Sequence, residues 1–375
     1  MSTTPARRTN LRWIAPAAAA GLVVAAPGIL SVGAQAEPTL PPRDADQIIA
    51  EVLSADPVPF SGEVSQTNDL GLPSLPSEAG VDFTNPDALW SLASGTNTWR
   101  LWYDGDHSYR VAIIRGQSES DLISNGSVVW AWSSQSQTAI RTELDPTDRP
   151  DHRPLPVESP QEVAREVLRE LEQYSTVTTD ENIRVAGRSA YELVVTPADP
   201  QTRVAEVRMA VDAETALPLR LEVVSTVTGE PAVEIAFNRI DYARPNASVF
   251  EFTPPPGAEV IERAAPQRPQ LPEDAATDEA TPGDEVVPAN PDAPVTTGEG
   301  WSQVTVVPPH APASDAETPD AQAGNPLAGL LPRVSGEWGS GSVLDGTLVS
   351  VVFADDGRIA FGAVEPEALY EALTR

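Results

Sequence analysis

Val204-Ala205-Glu206-Val207-Arg208-Met209-Ala210-Val211-Asp212 is followed by Leu217-Pro218-Leu219-Arg220-Leu221-Glu222-Val223-Val224 and then by Val233-Glu234-Ile235-Ala236-Phe237-Asn238-Arg239-Ile240. Read two residues at a time, these runs separate by polarity. Val207, Met209 and Val211, then Leu217, Leu219, Leu221 and Val223, then Val233, Ile235 and Phe237 fall on one side. Glu206, Arg208, Asp212, Arg220, Glu222, Glu234 and Asn238 fall on the other. A period of two is the strand period, and its persistence across several strands means one sheet face is covered and the other is wet. Tyr191–Thr196 continues the pattern upstream.

Earlier in the chain the same signal returns with turns between. Thr98–Tyr103 and Tyr109–Ile114 flank Asp104-Gly105-Asp106-His107, and Asp121–Ser124 and Val128–Trp132 flank Asn125-Gly126. Both are hairpin turns by composition. Phe60–Thr67 reads as a further strand. Between it and Thr98 lies Asn68–Thr96, rich in Gly, Pro and Ser, whose length suggests a surface flap.

Helices are few. Asp44 precedes Ile48, Ile49, Val52 and Leu53 at helical spacing. Pro160–Gln173 carries a capping-box pair, Ser159 and Glu162, and the stripe Val163, Val167, Leu168, Leu171. The expected fold is therefore mainly β (α+β): a long antiparallel sheet with one covered face, a helix able to lie across it, and a small C-terminal β-hairpin/helix region.

The ends of the chain differ from this middle. Residues 1–36 run from three Arg through an apolar stretch to Ala34-Gln35-Ala36, the order of a secretory signal. About 20 apolar residues also span a bilayer, so signal peptide and N-terminal membrane anchor both stand. Either places the rest outside the cytoplasmic membrane. Residues 37–257 form the half-barrel domain. Residues 253–323 hold 14 of the 38 Pro, and residues 258–300 hold ten acids against two Arg. Such a stretch buries too little apolar surface to offset its chain entropy, so 258–323 reads as a Pro-rich acidic linker. In residues 324–375, Gly346–Ala354 and Arg358–Val364 flank Asp355-Asp356-Gly357, and Pro366–Leu373 reads as a short helix. That is too small for an independent core and is expected to dock.

Composition removes most chemistry. The 375 residues carry a formal charge of −31, and all 24 basic side chains are Arg, with no Lys and no Cys. Lysine Schiff bases, thiol nucleophiles, thiolate metal sites and lipid attachment on cysteine are excluded. So is non-specific nucleic-acid binding, which needs cations to meet phosphates. His107, His152 and His310 share no ligand spacing, and the Asp pairs sit in turns, where backbone chemistry explains them. No catalytic residue, metal or cofactor is expected.

Aromatics are the remaining signal. Five of the eight Trp lie in residues 90–132: Trp90, Trp99, Trp102, Trp130 and Trp132. Trp99, Leu101 and Tyr103 share one face of a strand, with Tyr109, Val111 and Ile113 as cross-strand companions, and Val128, Trp130 and Trp132 share a face of another. A packed aromatic core is one reading. The other is an apolar cavity for a hydrophobic ligand, lined by Trp99, Leu101, Tyr103, Val111, Ile113, Trp130, Trp132, Val207, Met209, Leu219, Leu221, Ile235 and Phe237.

Several segments, in order, resemble actinobacterial LolA-like proteins. They are Phe60-Ser61-Gly62-Glu63-Val64 with Asp69-Leu70-Gly71-Leu72-Pro73; Leu101-Trp102-Tyr103-Asp104-Gly105 with Tyr109-Arg110-Val111; and Glu119-Ser120-Asp121-Leu122 with Asn125-Gly126 and Val129-Trp130. Ala186–Leu193, Ala210–Thr215 and Phe250-Glu251-Phe252-Thr253-Pro254 complete the set. The resemblance covers about residues 44–262 and extends to the fold shared by the lipoprotein carrier LolA and the envelope-stress regulator RseB. It implies an unclosed antiparallel β half-barrel with a helical lid over a cavity for acyl chains, and transfers no individual ligand residue. The expected function is a non-enzymatic carrier or binder of a lipid or lipoprotein acyl chain in the cell envelope. Burying a dozen methylenes is worth roughly 10 kcal/mol, so no charged site is required. The alternative is an RseB-like regulator that binds the exported domain of a membrane-anchored anti-sigma factor or another envelope partner.

Overall fold

The computed structural model describes residues 40–72, 82–85, 92–115, 118–144, 168–264, 294–309 and 330–374. The segment 1–36 lies outside them, as do His152, His310 and most of the expected helix Pro160–Gln173, of which residues 168–172 are described and helical.

The first element among the described residues is α1 (Ala45–Ser54), where the Gln47 side chain accepts a hydrogen bond from the Asp44 backbone N–H. Twelve antiparallel strands follow: β1 (Phe60–Asn68), β2 (Gly95–Tyr103), β3 (Ser108–Arg115), β4 (Ser118–Asn125), β5 (Val128–Ser133), β6 (Thr138–Glu143), β7 (Ser175–Thr179), β8 (Ile183–Val185), β9 (Arg188–Pro197), β10 (Val204–Asp212), β11 (Pro218–Ser225) and β12 (Pro231–Asp241). With β13 (Glu259–Arg263) they build one sheet in the order β13-β6-β5-β4-β3-β2-β1-β12-β11-β10-β9-β7, with β8 paired to β9. The two ends do not meet, so the half-barrel is unclosed, as the resemblance implied. β13 is the exception to the antiparallel rule, lying parallel to β6.

Turn chemistry fixes the meander. Gly126 takes φ +84° after Asn125, and the Asn125 carboxamide oxygen accepts from the backbone N–H groups of Ser127 and Val128. Asp104 holds the β2–β3 turn in the same way, its carboxylate accepting from the N–H groups of Asp106 and Ser108.

After β12 the chain crosses the sheet to reach β13. Phe250 is buried on this path, and Phe252 lies 5.4 Å from Trp130 and 5.9 Å from Trp132, ring centre to ring centre.

A second sheet follows. It contains β14 (Val295–Thr297), β15 (Val304–Val307), β16 (Arg333–Gly336), β17 (Gly339–Asp345), β18 (Ser350–Ala354) and β19 (Ile359–Gly362), in the order β14-β15-β19-β18-β17-β16, closed by α2 (Pro366–Thr374). Its core joins Val304, Trp338, Val343, Val352, Ala360, Val364, Leu369 and Leu373. This differs from a linker over 258–323 followed by a lone hairpin. Three strands fall inside that stretch. Composition averaged over many Pro and acidic residues concealed the β-branched runs Val260-Ile261, Val295-Thr296-Thr297 and Val304–Val307, which have high strand propensity.

The second sheet docks on the first, as its size required. Arg203, 3% exposed, donates to the Gly346 carbonyl and pairs with Asp345 and Glu365 at 2.5 Å each. Its backbone N–H reaches the Ala363 carbonyl, and Thr202 bridges Val364. The indole N–H of Trp301 donates to Ser175 Oγ at 2.7 Å. Gly300 must be glycine here: at φ +59° a Cβ would come within 2.6 Å of the Tyr174 ring.

Candidate functional site: the inner face of the half-barrel

Register assigns side chains to faces because directly opposed residues share one. Starting from Trp99, opposite Ile113 and Val64, one face carries Trp99, Leu101, Tyr103, Tyr109, Val111 and Ile113. Through β1 and β12 it continues to Phe237, Ile235 and Val233, and through β11 and β10 to Leu221, Val223, Met209, Val207 and Val211. On β9 it reaches Tyr191, Leu193 and Val195. This is the inner face, because α1 packs on it. Ile48, fully buried, meets Tyr191, Leu193 and Val211, with Met209 alongside.

Ten of the thirteen expected cavity residues share this face, and three do not. Trp132 stands opposite Asp121, and Trp130 opposite Ile123, whereas Leu122 opposes Val111. Both Trp side chains therefore lie on the outer face, under Phe252. The periodicity within Val128–Trp132 was right, but sequence alone did not fix its phase relative to β3. Leu219 departs for another reason. The pairing of β10 and β11 slips between Ala210 and Val211, which breaks the alternation, and Leu219 packs with Val185, Ala190 and Ala210.

The inner face is covered in parts by three different segments. α1 takes the β9–β10 side. The long insert after β1 takes the β2–β4 side, where Phe83 and Leu92 pack on the cluster of Trp99, Val111 and Ile113. Polar residues of the strands hold that insert. The side-chain amides of Gln66 and Asn68 donate to the Leu92 carbonyl, and Ser120 Oγ accepts from the Phe83 N–H at 3.0 Å. The described residues of the insert, 82–85 and Leu92, thus cover this part of the apolar face, a role that its Gly-, Pro- and Ser-rich composition did not reveal. The third cover is the β17–β18 loop, whose Leu348 is buried against Val204, Val207 and Ala232, with Trp301, Leu221 and Val223 around it.

Between these covers Leu101, Tyr103, Met209, Leu221 and Phe237 stay half-buried. Phe60, which sequence reasoning left out, joins Tyr103 and Phe237 at ring distances of 5.8 and 5.7 Å. Burial, and then the neighbouring Asp104 and Asp106, push the Tyr103 hydroxyl above its usual pKa, and burial alone does so for Tyr109. Both stay neutral phenols at physiological pH. Trp99 Nε1 is buried here without a hydrogen-bond partner. Two clefts border α1. One of about 540 Å³ is lined by Asp44, Asp46, Leu168, Glu172, Val177 and Thr179, and one of about 420 Å³ by Arg43, Glu51 and Ala213–Ala216. Neither contains an expected cavity residue.

Charge is gathered on the outer face, in ion pairs. Glu192, 3% exposed, accepts from Arg208 at 2.9 Å and Arg220 at 2.7 Å. Asp212 is bidentate to Arg188 and accepts from the Tyr242 hydroxyl. Burial would raise the Asp212 carboxyl, but Arg188, the Glu214 N–H and Tyr242 hold it below the usual range. Among the described residues no group of three or more His, Cys, Asp or Glu is arranged to hold a metal.

Asp121 behaves differently. Burial pushes its carboxyl from 3.8 to about 6, against the pull of Arg110, whose Nε lies 2.9 Å away. The folded state thus binds this proton more tightly than the unfolded state. The group's contribution is full below about pH 4 and is lost as pH rises through about 6, with an upper limit of about 3 kcal/mol. The unfolding free energy of Asp121→Asn relative to wild type should therefore rise in the variant's favour from about pH 4 to about pH 7. A difference flat with pH in chemical denaturation would contradict this assignment.

Residues 94–245 match the family model of the MucB/RseB N-terminal domain. No curated protein matches the chain. Solved structures to which the chain is similar include the MucA/MucB complex of Pseudomonas aeruginosa, at 16% identity and TM-score 0.43, covering 88% of this chain and 96% of that one. A LolA superfamily protein from Nitrosomonas europaea is 12% identical at TM-score 0.23, covering 56% and 99%. A putative outer membrane lipoprotein-sorting protein domain from Vibrio parahaemolyticus is 9% identical at TM-score 0.21, covering 53% and 92%.

Proposed function

We propose that the protein is an exported, non-enzymatic LolA/RseB-like binding protein of the cell envelope whose inner face takes up an acyl chain of a lipid or lipoprotein, a reading supported by the match of residues 94–245 to the MucB/RseB N-terminal domain. The observation that carries this reading is the continuity of the apolar face. From Leu101 through Phe237 and Leu221 to Met209 it crosses β2, β1, β12, β11 and β10, and its middle stays half-buried. Apolar area alone supplies the affinity, at about 0.8 kcal/mol per methylene. No cofactor, metal or charged head-group site is needed. The ordered basic, apolar and small-residue segments of residues 1–36 support export, by cleavage or with a retained anchor.

A second role is compatible with the same ligand. A match to the MucB/RseB N-terminal domain, together with a second sheet held by Arg203, favours a regulator that engages a membrane-anchored partner over a simple carrier. Co-purification of such a partner with the full chain from solubilised envelopes supports regulation, and its absence supports carriage.

Ligand uptake is tested with a fluorescent long-chain fatty acid. Leu101→Glu, which sets a charge on the inner face, is expected to weaken binding tenfold or more, about 1.4 kcal/mol. Arg100→Glu, one residue along and on the outer face, is expected to leave it unchanged. Equal loss in both variants, or a purified protein free of lipid and indifferent to the probe, would defeat the reading.

A further inference from the structure

The β17–β18 loop is short, Gly346–Val349, and its Leu348 belongs to a cluster of the first sheet and not to the core of its own. Leu348 is 7% exposed and sits among Val204, Val207 and Ala232, while Leu221, Val223 and Val233 pack against the same cluster. Val207 and Leu221 belong to the inner face, the surface that the binding reading assigns to an acyl chain. The loop is therefore seated on part of that surface.

The loop is held there by its backbone. Thr347 N–H donates to the Leu70 carbonyl at 3.1 Å, Thr347 Oγ1 donates to the Asp69 carbonyl, and the Ser225 hydroxyl donates to the Thr347 carbonyl. Arg203 then clamps the start of the loop, reaching the Gly346 carbonyl and the Asp345 carboxylate, and ties it to Glu365 ahead of α2. The two carboxylates are more than half exposed, whereas the guanidinium is 4% exposed and its Nε has no partner. A buried cation with an unsatisfied donor makes a costly interface, one less tight than an apolar contact of the same shape. The leucine, by contrast, is chemically equivalent to a few methylenes of an acyl chain.

We propose that the Gly346–Val349 loop is an internal competitor for the inner face: Leu348 occupies one end of the acyl surface, and a chain long enough to reach Val207 and Leu221 displaces it and loosens the second sheet. Ligand binding and docking of the second sheet are then negatively linked, each weakening the other by the same factor. This rests on the acyl-binding reading and adds to it a mechanism by which occupancy is reported to the second sheet.

The chain has no cysteine, so an engineered pair is unique. A Cβ built on Gly71 lies 3.5 Å from Thr347 Cγ2, close to disulfide range, although Gly71 has φ +66°. In the full chain carrying Gly71→Cys and Thr347→Cys, the oxidised protein is expected to bind a fluorescent sixteen-carbon fatty acid at least tenfold more weakly than the same protein after reduction. Leu348→Ala is expected to bind it several-fold more tightly than wild type. Equal affinity in oxidised and reduced forms overturns the proposal. Should the cysteine pair fail to fold, a Leu348→Ala affinity equal to wild type overturns it instead. Binding that ignores the lock defeats this inference alone, whereas no probe binding in wild type, reduced and Leu348→Ala proteins defeats the acyl reading as well.

Discussion

Trp338→Ala is expected to lower the stability of the second sheet by about 3–5 kcal/mol, the usual cost of emptying a buried aromatic site. Trp338 is 8% exposed and stacks on Tyr370, with ring centres 5.4 Å apart and planes 3° from parallel. It is thus the side chain that pins α2 to the strands, and its carbonyl also accepts from Arg358. Six short strands and a nine-residue helix have little else to spare. Small units of this kind lose most of their stability in one such step. Hydrogen exchange on the full chain gives the readout. Amides of β15, β17, β18 and β19 should lose protection in the variant while those of β1 and β12 keep theirs. Unchanged protection in β18, whose Val352 is fully buried, would show that the stack is dispensable.

Glu192→Ala is the other large effect, on the first sheet and of different origin. Its carboxylate is shared by Arg208 on β10 and Arg220 on β11, so one deletion leaves two guanidinium groups short of a partner. Breaking a buried pair from one side costs about 3–5 kcal/mol. Arg208 retains Glu206 and Asp180, and Arg220 retains Glu222, which places the expected loss at about 3 kcal/mol, near the lower end. Burial pushes the Glu222 carboxyl above its ordinary value, and the Arg220 charge beside it acts in the opposite direction. Urea unfolding should move the midpoint down without changing the slope. A Glu192→Ala protein within about 0.5 kcal/mol of wild type would mean that the network is solvated and redundant.

Both effects bear on function through geometry rather than chemistry. The ion pairs fill the outer face with charge, so the apolar inner face is left as the surface suited to an apolar ligand. The stack on Trp338 keeps the β17–β18 loop on a rigid sheet, from which Leu348 reaches that surface.

How much of this was legible without coordinates differs from one element to the next. The strands β9 to β12, the hairpin turns at Asp104-Gly105 and Asn125-Gly126, and α1 follow from periodicity and turn residues, which are local properties. The sharing of one face by Trp99 and Val111, and of one face by Met209, Leu221 and Ile235, follows as well, because hairpin pairing in register preserves the phase; only the long-range pairing of β1 with β12 joins the two sets. Trp130 and Trp132 did not follow. The β4 strand between them and Val111 has the pattern Ser120, Asp121, Leu122, Ile123, where polar and apolar residues fall on both faces. The phase was lost there. Leu219 was misplaced because a slip of one residue against Ala210 leaves no trace in composition.

The strands inside residues 258–323 were hidden by their company, since Val295–Thr297 and Val304–Val307 are too short to outweigh the surrounding proline and acid. What the sequence determined by itself was the alternation, and with it an apolar face and a charged one, because side-chain direction in a strand is set by the two residues on either side. What the tertiary structure alone decided was who covers the apolar face. That choice depends on contacts between residues such as Val207 and Leu348, far apart in the chain, which no local pattern encodes.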